Sequence, residues 1–291
     1  MEKIGFIGLG IMGKPMSIHL LKAGYQVTVL KSSGAAEALS TQGARLAESP
    51  KALAEDSDIV ITCVPDSPEV ESVVLGEQGV ADGVSEGNLF IDMSTISPAS
   101  TAKIYRILAD KGVEALDAPV SGGEGGAKSA SLSIMVGGTQ AAFDRAMPVF
   151  EKMGKNIVRI GESGAGQVTK ACNQVVVGLT IQAVAEALNL AKKAGVDVAR
   201  VREALLGGFA QSRIMDIHGQ RFLDGNYQPG FKVKLHRKDM NIALQTGKDL
   251  SVPLPGSSLV AAQMDALIGS GNADLDHSAL ALLIGQLSGI E

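Results

Sequence analysis

The most constraining feature of the sequence is the glycine pattern G-x-G-x-x-G at residues 8–13, which follows a short apolar run and opens a helical pattern. In such a turn the first glycine permits a sharp bend, the second lets a pyrophosphate approach the backbone, and the third lets helix and strand pack closely. The phosphates would lie at the helix N-terminus, where amide groups and the helix dipole favour anions. A glycine turn without a ligand is the alternative to the dinucleotide-binding turn that we predict, whose residues are Gly8, Gly10, Ile11, Met12 and Gly13.

Short apolar runs alternate with helical patterns through the first half of the chain. This alternation predicts an α/β fold with an N-terminal Rossmann-like, doubly wound and mostly parallel sheet, covered by helices on both faces. The predicted strands are Ile4–Ile7, Gln26–Leu30, Asp58–Val64, Leu89–Met93, Glu114–Ala118, Ser131–Val136 and Ile157–Ile160. The predicted helices are Lys14–Ala23, Ala35–Gln42 and Pro50–Glu55.

The pattern changes near the segment Gly161–Gly166, whose glycines are typical of a hinge. The following segment, Gln167–Ala194, has no proline and one glycine, which predicts a single long interdomain helix. We therefore predict a dinucleotide-binding domain at residues 1–162 and an all-helical C-terminal domain at residues 163–291. The further predicted helices are Ala199–Leu206, Lys238–Leu250, Ser257–Gly269 and His277–Leu287.

Polar motifs follow the ends of several predicted strands, at the edge where ligands of parallel sheets bind. We therefore expect Val64, Pro65 and Thr95 to lie at the cofactor. The motif Asp117–Gly123 also follows a predicted strand, and it ends in consecutive glycines. Their backbone N–H groups could hold a carboxylate with help from the Ser121 hydroxyl. An ordinary glycine-rich loop is the alternative for this segment.

The end of the second predicted strand bears on the choice of cofactor. A carboxylate there would hold a free ribose 2′-hydroxyl, as in NAD, whereas this chain has Leu30–Ser33 with the cation Lys31. The segment favours the 2′-phosphate of NADP slightly over NAD. A loose adenosine pocket that accepts either cofactor is the alternative.

Lys170 is the candidate proton donor. It precedes Asn173 by three residues and Gln174 by four, so the three polar groups share one face of a helix. A lysine in a partly desolvated site can act as a general acid, although most helical lysines are solvated surface charges.

Two further polar pairs have simpler interpretations. The pair Lys238–Asp239 is predicted to open a helix as an exposed ion pair. Asp276, before His277, is interpreted as a helix N-cap and not as part of a catalytic dyad.

Composition and charge exclude other classes of protein. A formal net charge of −5, with 3% aromatic residues and no tryptophan, argues against a dedicated nucleic-acid binder. Cys63 and Cys172 lie in apolar sequence and are predicted to be buried free thiols in a reducing compartment. The four histidines are dispersed along the chain, so no metal site is expected.

The N-terminus does not resemble a signal peptide, and no uninterrupted apolar stretch is long enough to span a bilayer. We expect a cytoplasmic protein that acts on a small molecule, without a nucleic-acid or membrane partner.

Five segments together resemble the β-hydroxyacid dehydrogenase family, to which 3-hydroxyisobutyrate dehydrogenase belongs. They occur in family order: Phe6–Gly13, Asp92–Thr95, Asp117–Gly123, Gly164–Asn173 and Lys238–Asp239. The resemblance implies a Rossmann domain, a long interdomain helix and a helical C-terminal domain. It also implies an NAD(P)-dependent oxidoreductase that forms a homodimer or homotetramer.

The resemblance implies roles for individual positions. Lys170 matches the catalytic lysine of the family, and Thr95 and Lys238 match positions near the cofactor. The residues that match the substrate site are Ser121, Gly122, Gly123, Asn173, Phe231 and Asp239. In two places the chain departs from the family pattern. Gln174 stands where many members have a second asparagine, and Leu30–Ser33 lacks the Asn-Arg pair common in members that prefer NADP.

Within the family, several segments look like those of members that reduce a three-carbon semialdehyde acid. These segments are Lys170–Gln174, Pro229–Phe231, Leu235–Asp239 and Asp276–Leu280. Glyoxylate, succinic semialdehyde and methylmalonate semialdehyde are alternative substrates, because each also carries a carboxylate and a carbonyl. A dinucleotide-binding scaffold without catalytic activity is the remaining alternative.

Overall fold

The computed structural model describes residues 1–290. The chain forms two compact units, Met1–Lys170 and Ala171–Glu291. The predicted domain boundary after residue 162 falls shortly before this division, ahead of the long helix, and stays a prediction.

The first unit is built on a single sheet of nine strands: β1 (Lys3–Ile7), β2 (Gln26–Leu30), β3 (Arg45–Ala47), β4 (Ile59–Thr62), β5 (Leu89–Asp92), β6 (Glu114–Asp117), β7 (Val120–Ser121), β8 (Leu132–Gly137) and β9 (Gly154–Gly161). The strand order is β3-β2-β1-β4-β5-β6-β8-β7, with β9 beside β8. Neighbouring strands are parallel except where β8 meets β6 and β7. The predicted α/β class and mostly parallel sheet are confirmed.

Eight helices connect these strands: α1 (Gly13–Lys22), α2 (Ala36–Ser40), α3 (Pro50–Glu55), α4 (Ser67–Leu75), α5 (Val80–Gly83), α6 (Pro98–Ala109), α7 (Gly123–Lys128) and α8 (Gln140–Phe150). α2 is shorter than predicted. Strands β3 and β7 are not predicted, since three and two residues are too few to show a periodic pattern.

The central strands are mostly apolar and almost fully buried because both faces of the sheet are covered. Successive residues of a strand point to opposite faces, so Ile59 and Ile61 of β4 enter one hydrophobic cluster and Val60 enters the other. Phe90 of β5 likewise lies opposite its neighbours in the strand. Continuous apolar runs are typical of parallel strands with helices on both sides.

Helices make up the second unit: the continuation of α9 (Ala165–Lys193), then α10 (Val198–Leu206), α11 (Arg213–Asp224), α12 (Val233–Asp249), α13 (Pro255–Gly269), a 3₁₀ turn (His277–Ala279) and α14 (Leu280–Leu287). The predicted all-helical character is confirmed. The prediction that Lys238 opens a helix is wrong, because α12 begins at Val233 and buries Val233, His236 and Met240 on one face. α11 is not predicted, since few of its residues are buried.

By length and composition alone, α9 could cross a membrane, which the sequence analysis does not anticipate. Half of the most apolar 18-residue stretch of this helix is buried inside the fold. A core helix passes the same test, so this property is weak evidence for a membrane span.

Candidate active site

The glycine turn has the geometry that a dinucleotide requires. Gly8 has φ +104°, and a Cβ there would lie 2.2 Å from the Cys63 carbonyl oxygen. A Cβ on Gly13 would lie 1.8 Å from the Gly8 carbonyl oxygen. Among the described residues, apart from its chain neighbours, no atom lies within 4 Å of a Cβ placed on Gly10. Protein packing therefore explains Gly8 and Gly13, whereas the open space at Gly10 fits the close approach of a pyrophosphate.

The turn shares one edge of the sheet with other predicted cofactor residues. Strands β1, β4 and β5 are parallel neighbours, so the segments that follow them meet at their carboxyl ends. There the Val64 backbone N–H donates to the Ser94 hydroxyl at 2.9 Å. This bond connects the loop of Val64 and Pro65 to the loop of Thr95.

The end of β2 differs from the sequence-based interpretation. The Lys31 ammonium lies 2.7 Å from the Glu48 carboxylate, and both side chains are largely exposed. Hydrogen bonding to Glu48 raises the pKa of Lys31. A carboxylate therefore lies beside the end of β2, at the end of the neighbouring strand β3, whose Ala47 pairs with Leu30. Sequence reasoning misses Glu48 because it misses β3.

Two buried carboxyl groups lie side by side at the ends of β5 and β6, where Asp92 is the register partner of Asp117. Burial raises the pKa of each to about 6. Asp92 accepts hydrogen bonds from the Thr62 hydroxyl at 2.8 Å and the Ser94 backbone N–H at 3.0 Å.

Asp117 binds the start of the long helix α9. Its carboxylate accepts from the backbone N–H of Gly164 at 2.7 Å and of Gln167 at 2.8 Å. A Cβ on Gly166 would lie 2.5 Å from the Asp117 carbonyl oxygen. Gly166 therefore allows a tight, hydrogen-bonded approach of helix to sheet, whereas the hinge at Gly161–Gly166 stays a prediction.

Lys170 lies on the first turns of this helix and is only 7% exposed. The alternative that it is a solvated surface lysine is therefore wrong. Since Asp117 fixes the start of α9 at the carboxyl ends of β5 and β6, Lys170 is on the part of the helix nearest that edge. Two residues missed by sequence reasoning, Asp117 and Gln167, have one signal in the sequence. Asp117 begins the motif Asp117–Gly123, and Gln167 lies in the motif Gly164–Asn173, which also contains Lys170.

The loop predicted to hold a carboxylate starts from the short strand β7. Gly122 has φ +134° and Gly123 has φ +60°, backbone conformations that residues other than glycine rarely adopt. In the described structure a Cβ on Gly123 would meet no atom within 4 Å. The second glycine therefore leaves space beside its backbone, as a bound anion would need.

In the second unit, four residues of the predicted site form one chain of polar contacts. The Asn173 carboxamide donates to that of Gln174 at 2.7 Å, and Gln174 in turn donates to Asp239. The Lys238 ammonium lies 2.8 Å from the other Asp239 oxygen. Asp239 is only 2% exposed, so the interpretation of Lys238–Asp239 as an exposed ion pair is wrong.

Three histidines that are dispersed in the sequence come together beside Phe231: His218, His236 and His277. Ligand atoms of His218, Asp276 and His277 lie within 4.8 Å of one another, a grouping that their spacing in the sequence does not predict. Asp276 is the N-cap of the 3₁₀ turn, as predicted, because one of its carboxylate oxygens accepts from the Ser278 backbone N–H. The other oxygen accepts from the backbone N–H groups of Gly230 and Phe231. The carboxylate is thus already committed to hydrogen bonds.

The two cysteines differ. Cys63 is half-buried, and desolvation raises the pKa of its thiol to about 12, which disfavours the reactive thiolate. Cys172 is exposed, so the prediction of two buried thiols is wrong for this residue. It lies on the outward side of α9, between the buried residues Ala171 and Gln174.

Two family models match the chain. One, described as the NAD binding domain of 6-phosphogluconate dehydrogenase, matches residues 3–161. The other, described as NAD-binding of NADP-dependent 3-hydroxyisobutyrate dehydrogenase, matches residues 164–284. These matches confirm that the cofactor is NAD or NADP.

Individual relatives match over nearly the whole chain. The chain is 48% identical to 2-hydroxy-3-oxopropionate reductase of Escherichia coli (strain K12), over 96% of this chain and 95% of that protein. It is 38% identical to 3-hydroxyisobutyrate dehydrogenase of Pseudomonas aeruginosa, over 96% of each. A solved structure of Mycobacterium tuberculosis 3-hydroxyisobutyrate dehydrogenase with L-serine is 32% identical, with a TM-score of 0.88 and 99% of both chains covered.

The glycine turn predicts different results for two alanine substitutions. In Gly10→Ala the methyl group would occupy the space left for the pyrophosphate, so we expect NAD(P)H binding to weaken at least about tenfold, or 1.4 kcal/mol. In Gly13→Ala the methyl group would overlap the Gly8 carbonyl, so we expect a loss of stability of about 1–3 kcal/mol. Fluorescence titration and urea unfolding measure the two effects. Normal cofactor affinity in a folded Gly10→Ala variant would contradict the assignment.

Proposed function

We propose a specific reaction for this chain, which belongs to the β-hydroxyacid dehydrogenase family of NAD(P)-dependent oxidoreductases: the reduction of 2-hydroxy-3-oxopropanoate (tartronate semialdehyde) to D-glycerate. The observation that carries this proposal is the burial of Lys170 on a helix fixed to the carboxyl edge of the sheet. The 48% identity to 2-hydroxy-3-oxopropionate reductase supports the choice of substrate.

The reaction requires a hydride and a proton. A bound NADH or NADPH supplies the hydride to the aldehyde carbon. We assign the proton to the Lys170 ammonium, which would polarise the carbonyl oxygen and protonate the alkoxide as it forms. A positioned proton donor typically contributes about 10²–10⁴ in rate.

The remaining predicted residues would bind and orient the substrate. Ser121, Gly122 and Gly123 would hold its carboxylate through the hydroxyl and backbone N–H groups. Asn173 would orient the substrate, and its bond to Gln174 limits the rotation of its carboxamide. In the same proposal Phe231 and Asp239 line or support the substrate site, and Thr95 and Lys238 contact the cofactor.

Other substrates fit the same chemical requirements. Glyoxylate, succinic semialdehyde and methylmalonate semialdehyde all carry a carbonyl and a carboxylate that the loop 121–123 could hold. A scaffold without catalytic activity is disfavoured, because burying the Lys170 ammonium costs free energy that a structural role would not require.

The contact between Lys31 and Glu48 suggests that both cofactors are accepted. The Lys31 cation favours the 2′-phosphate of NADP, whereas the Glu48 carboxylate repels it and could accept a hydrogen bond from the 2′-hydroxyl of NAD. The slight preference for NADP thus depends on the balance of two neighbouring charges.

We further propose a cytoplasmic homodimer or homotetramer, in keeping with the family. Large apolar side chains exposed on the helices of the second unit, such as Val176 and Leu190, support an association between copies.

A panel of substrates tests the proposed reaction. We expect kcat/KM for tartronate semialdehyde to exceed that for each alternative semialdehyde, and for glyoxylate, by more than tenfold, or about 1.4 kcal/mol. Initial rates of NADH and of NADPH oxidation, measured for every substrate, give the comparison. A smaller preference would make this substrate assignment unwarranted while leaving the class of reaction intact.

Lys170→Ala tests the proton donor. We expect kcat to fall by at least about 10², because the alkoxide would lose its proton source, while NAD(P)H still binds with nearly unchanged affinity. Lys193→Ala is the matched control, since Lys193 lies at the far end of the same helix and donates to the Ser288 carbonyl. Near-normal turnover in Lys170→Ala would eliminate the assignment.

Substitutions at the two exposed charges test the choice of cofactor. We expect Glu48→Gln to raise the ratio of kcat/KM for NADPH to that for NADH by about two- to fivefold, a size typical of removing one exposed charge. Lys31→Ala should lower this ratio. Glu55→Gln is the control, because Glu55 is also an exposed acid near a lysine in the first unit. An unchanged ratio in both test variants would show that these charges do not face the adenosine ribose.

A further inference from the structure

The side chain of Gln167 connects two parts of the first unit that carry predicted functional groups. Its carboxamide nitrogen donates to the Ser94 carbonyl at 2.9 Å, and its oxygen accepts from the Ile96 backbone N–H at 3.2 Å. Ser94 and Ile96 are the two chain neighbours of Thr95. One carboxamide thus holds the backbone on both sides of the residue predicted to contact the cofactor.

Gln167 is also one helical turn before Lys170. Residues at positions i and i+3 of a helix lie on the same side, so a shift of Gln167 would displace Lys170 with it. The backbone N–H of Gln167 donates to the Asp117 carboxylate at 2.8 Å, so its main chain is held as well. Gln167 itself is 1% exposed, and both bonds of its side chain lie away from water.

The space around these bonds allows little movement. A Cβ on Gly166 would lie 2.5 Å from the carbonyl oxygens of both Asp117 and Met135. The start of α9 therefore lies directly against the end of β6 and the middle of β8. Since the backbone of α9 cannot move closer to the sheet here, we expect a substitution at Gln167 to displace either the loop of Thr95 or the helical turn of Lys170.

We propose that Gln167 is a positioning residue that sets the distance and orientation between the Thr95 loop and Lys170, and hence between hydride donor and proton donor. The inference rests on the proposed role of Lys170. Its physical basis is the requirement that reacting groups be held within a fraction of an ångström, since small misplacements can cost about 10²-fold in rate. Gln167 touches no reacting atom in this assignment and acts through the two segments it joins.

Gln167→Glu is the most informative variant because its effect depends on protonation. A neutral carboxylic acid has one O–H donor and one C=O acceptor, as the carboxamide has an N–H donor and a C=O acceptor. An ionised carboxylate accepts only and would face the Ser94 carbonyl without a proton to share. Burial raises the pKa of a carboxyl group, so the neutral form should appear at mildly acidic pH.

We expect kcat of Gln167→Glu, divided by that of the wild type at the same pH, to be reduced at least about tenfold at pH 8 and to recover toward one as the pH falls to about 5. The primary deuterium isotope effect on kcat, measured with NAD(P)H labelled at C4, should exceed the wild-type value at pH 8 and return to it in acid. The isotope effect separates mispositioning from a loss of folded protein, because unfolded molecules do not contribute to turnover. A ratio that stays flat with pH, or full activity at pH 8, would overturn the proposal.

Gln167→Leu supplies a second measurement that removes both bonds. We expect kcat to fall about 10- to 100-fold while the substrate KM changes less than about threefold. Gln182→Leu is the matched control: Gln182 is also buried, at 5% exposure, on the same helix, and it donates to Glu186. The control should lose stability without a change in the isotope effect. Equal effects of the two leucine variants on kcat and on the isotope effect would show that Gln167 has only a structural role and would overturn the proposal.

The design separates this inference from the proposed function. Each variant is compared with the wild type on whichever substrate of the panel the wild type reduces fastest. If tartronate semialdehyde is not that substrate, the proposed reaction fails while the positioning role is still measured. If Lys170→Ala keeps normal turnover, the proton-donor assignment fails, and the positioning role fails with it.

Discussion

The contact on which the rest of the structure depends is the binding of the Asp117 carboxylate to the start of the long helix. This carboxylate is almost completely buried, and burial raises its pKa to about 6. The backbone N–H groups of Gly164 and Gln167 compensate part of this cost, and the positive end of the helix dipole acts in the same direction. The contact fixes where α9 begins relative to the carboxyl ends of the strands.

The glycines around Asp117 make this contact possible. A Cβ on Gly137 would lie 2.4 Å from one carboxylate oxygen, and a Cβ on Gly166 would lie 2.8 Å from the other. Glycine is therefore required by space at these positions, and the segment before α9 is held tightly although its composition suggests flexibility. This packing also fixes the position of Lys170, since Lys170 follows Gly166 by about one turn of the same helix.

Prediction from the sequence succeeded where the decisive forces act between near neighbours in the chain. Strands β4 and β5 are recognisable because each begins with three consecutive apolar residues, and α9 because its sequence has no proline for a long stretch. It failed where a short element is held by a distant partner. β3 has three residues, pairs with β2, and brings Glu48 beside Lys31, which reverses part of the argument for NADP.

By itself the sequence determined the fold class, the dinucleotide turn and the family, because apolar periodicity and the spacing of glycines are local properties of the chain. Only the tertiary structure decided that Lys170 is buried, that Asp239 is buried beside Lys238, and that Gln167 holds both neighbours of Thr95. The physical reason is that burial and hydrogen-bond partners are set by residues dozens of positions away, such as the 71 positions between Ile96 and Gln167. A polar side chain on a helix has the same sequence pattern whether it faces water or a strand end.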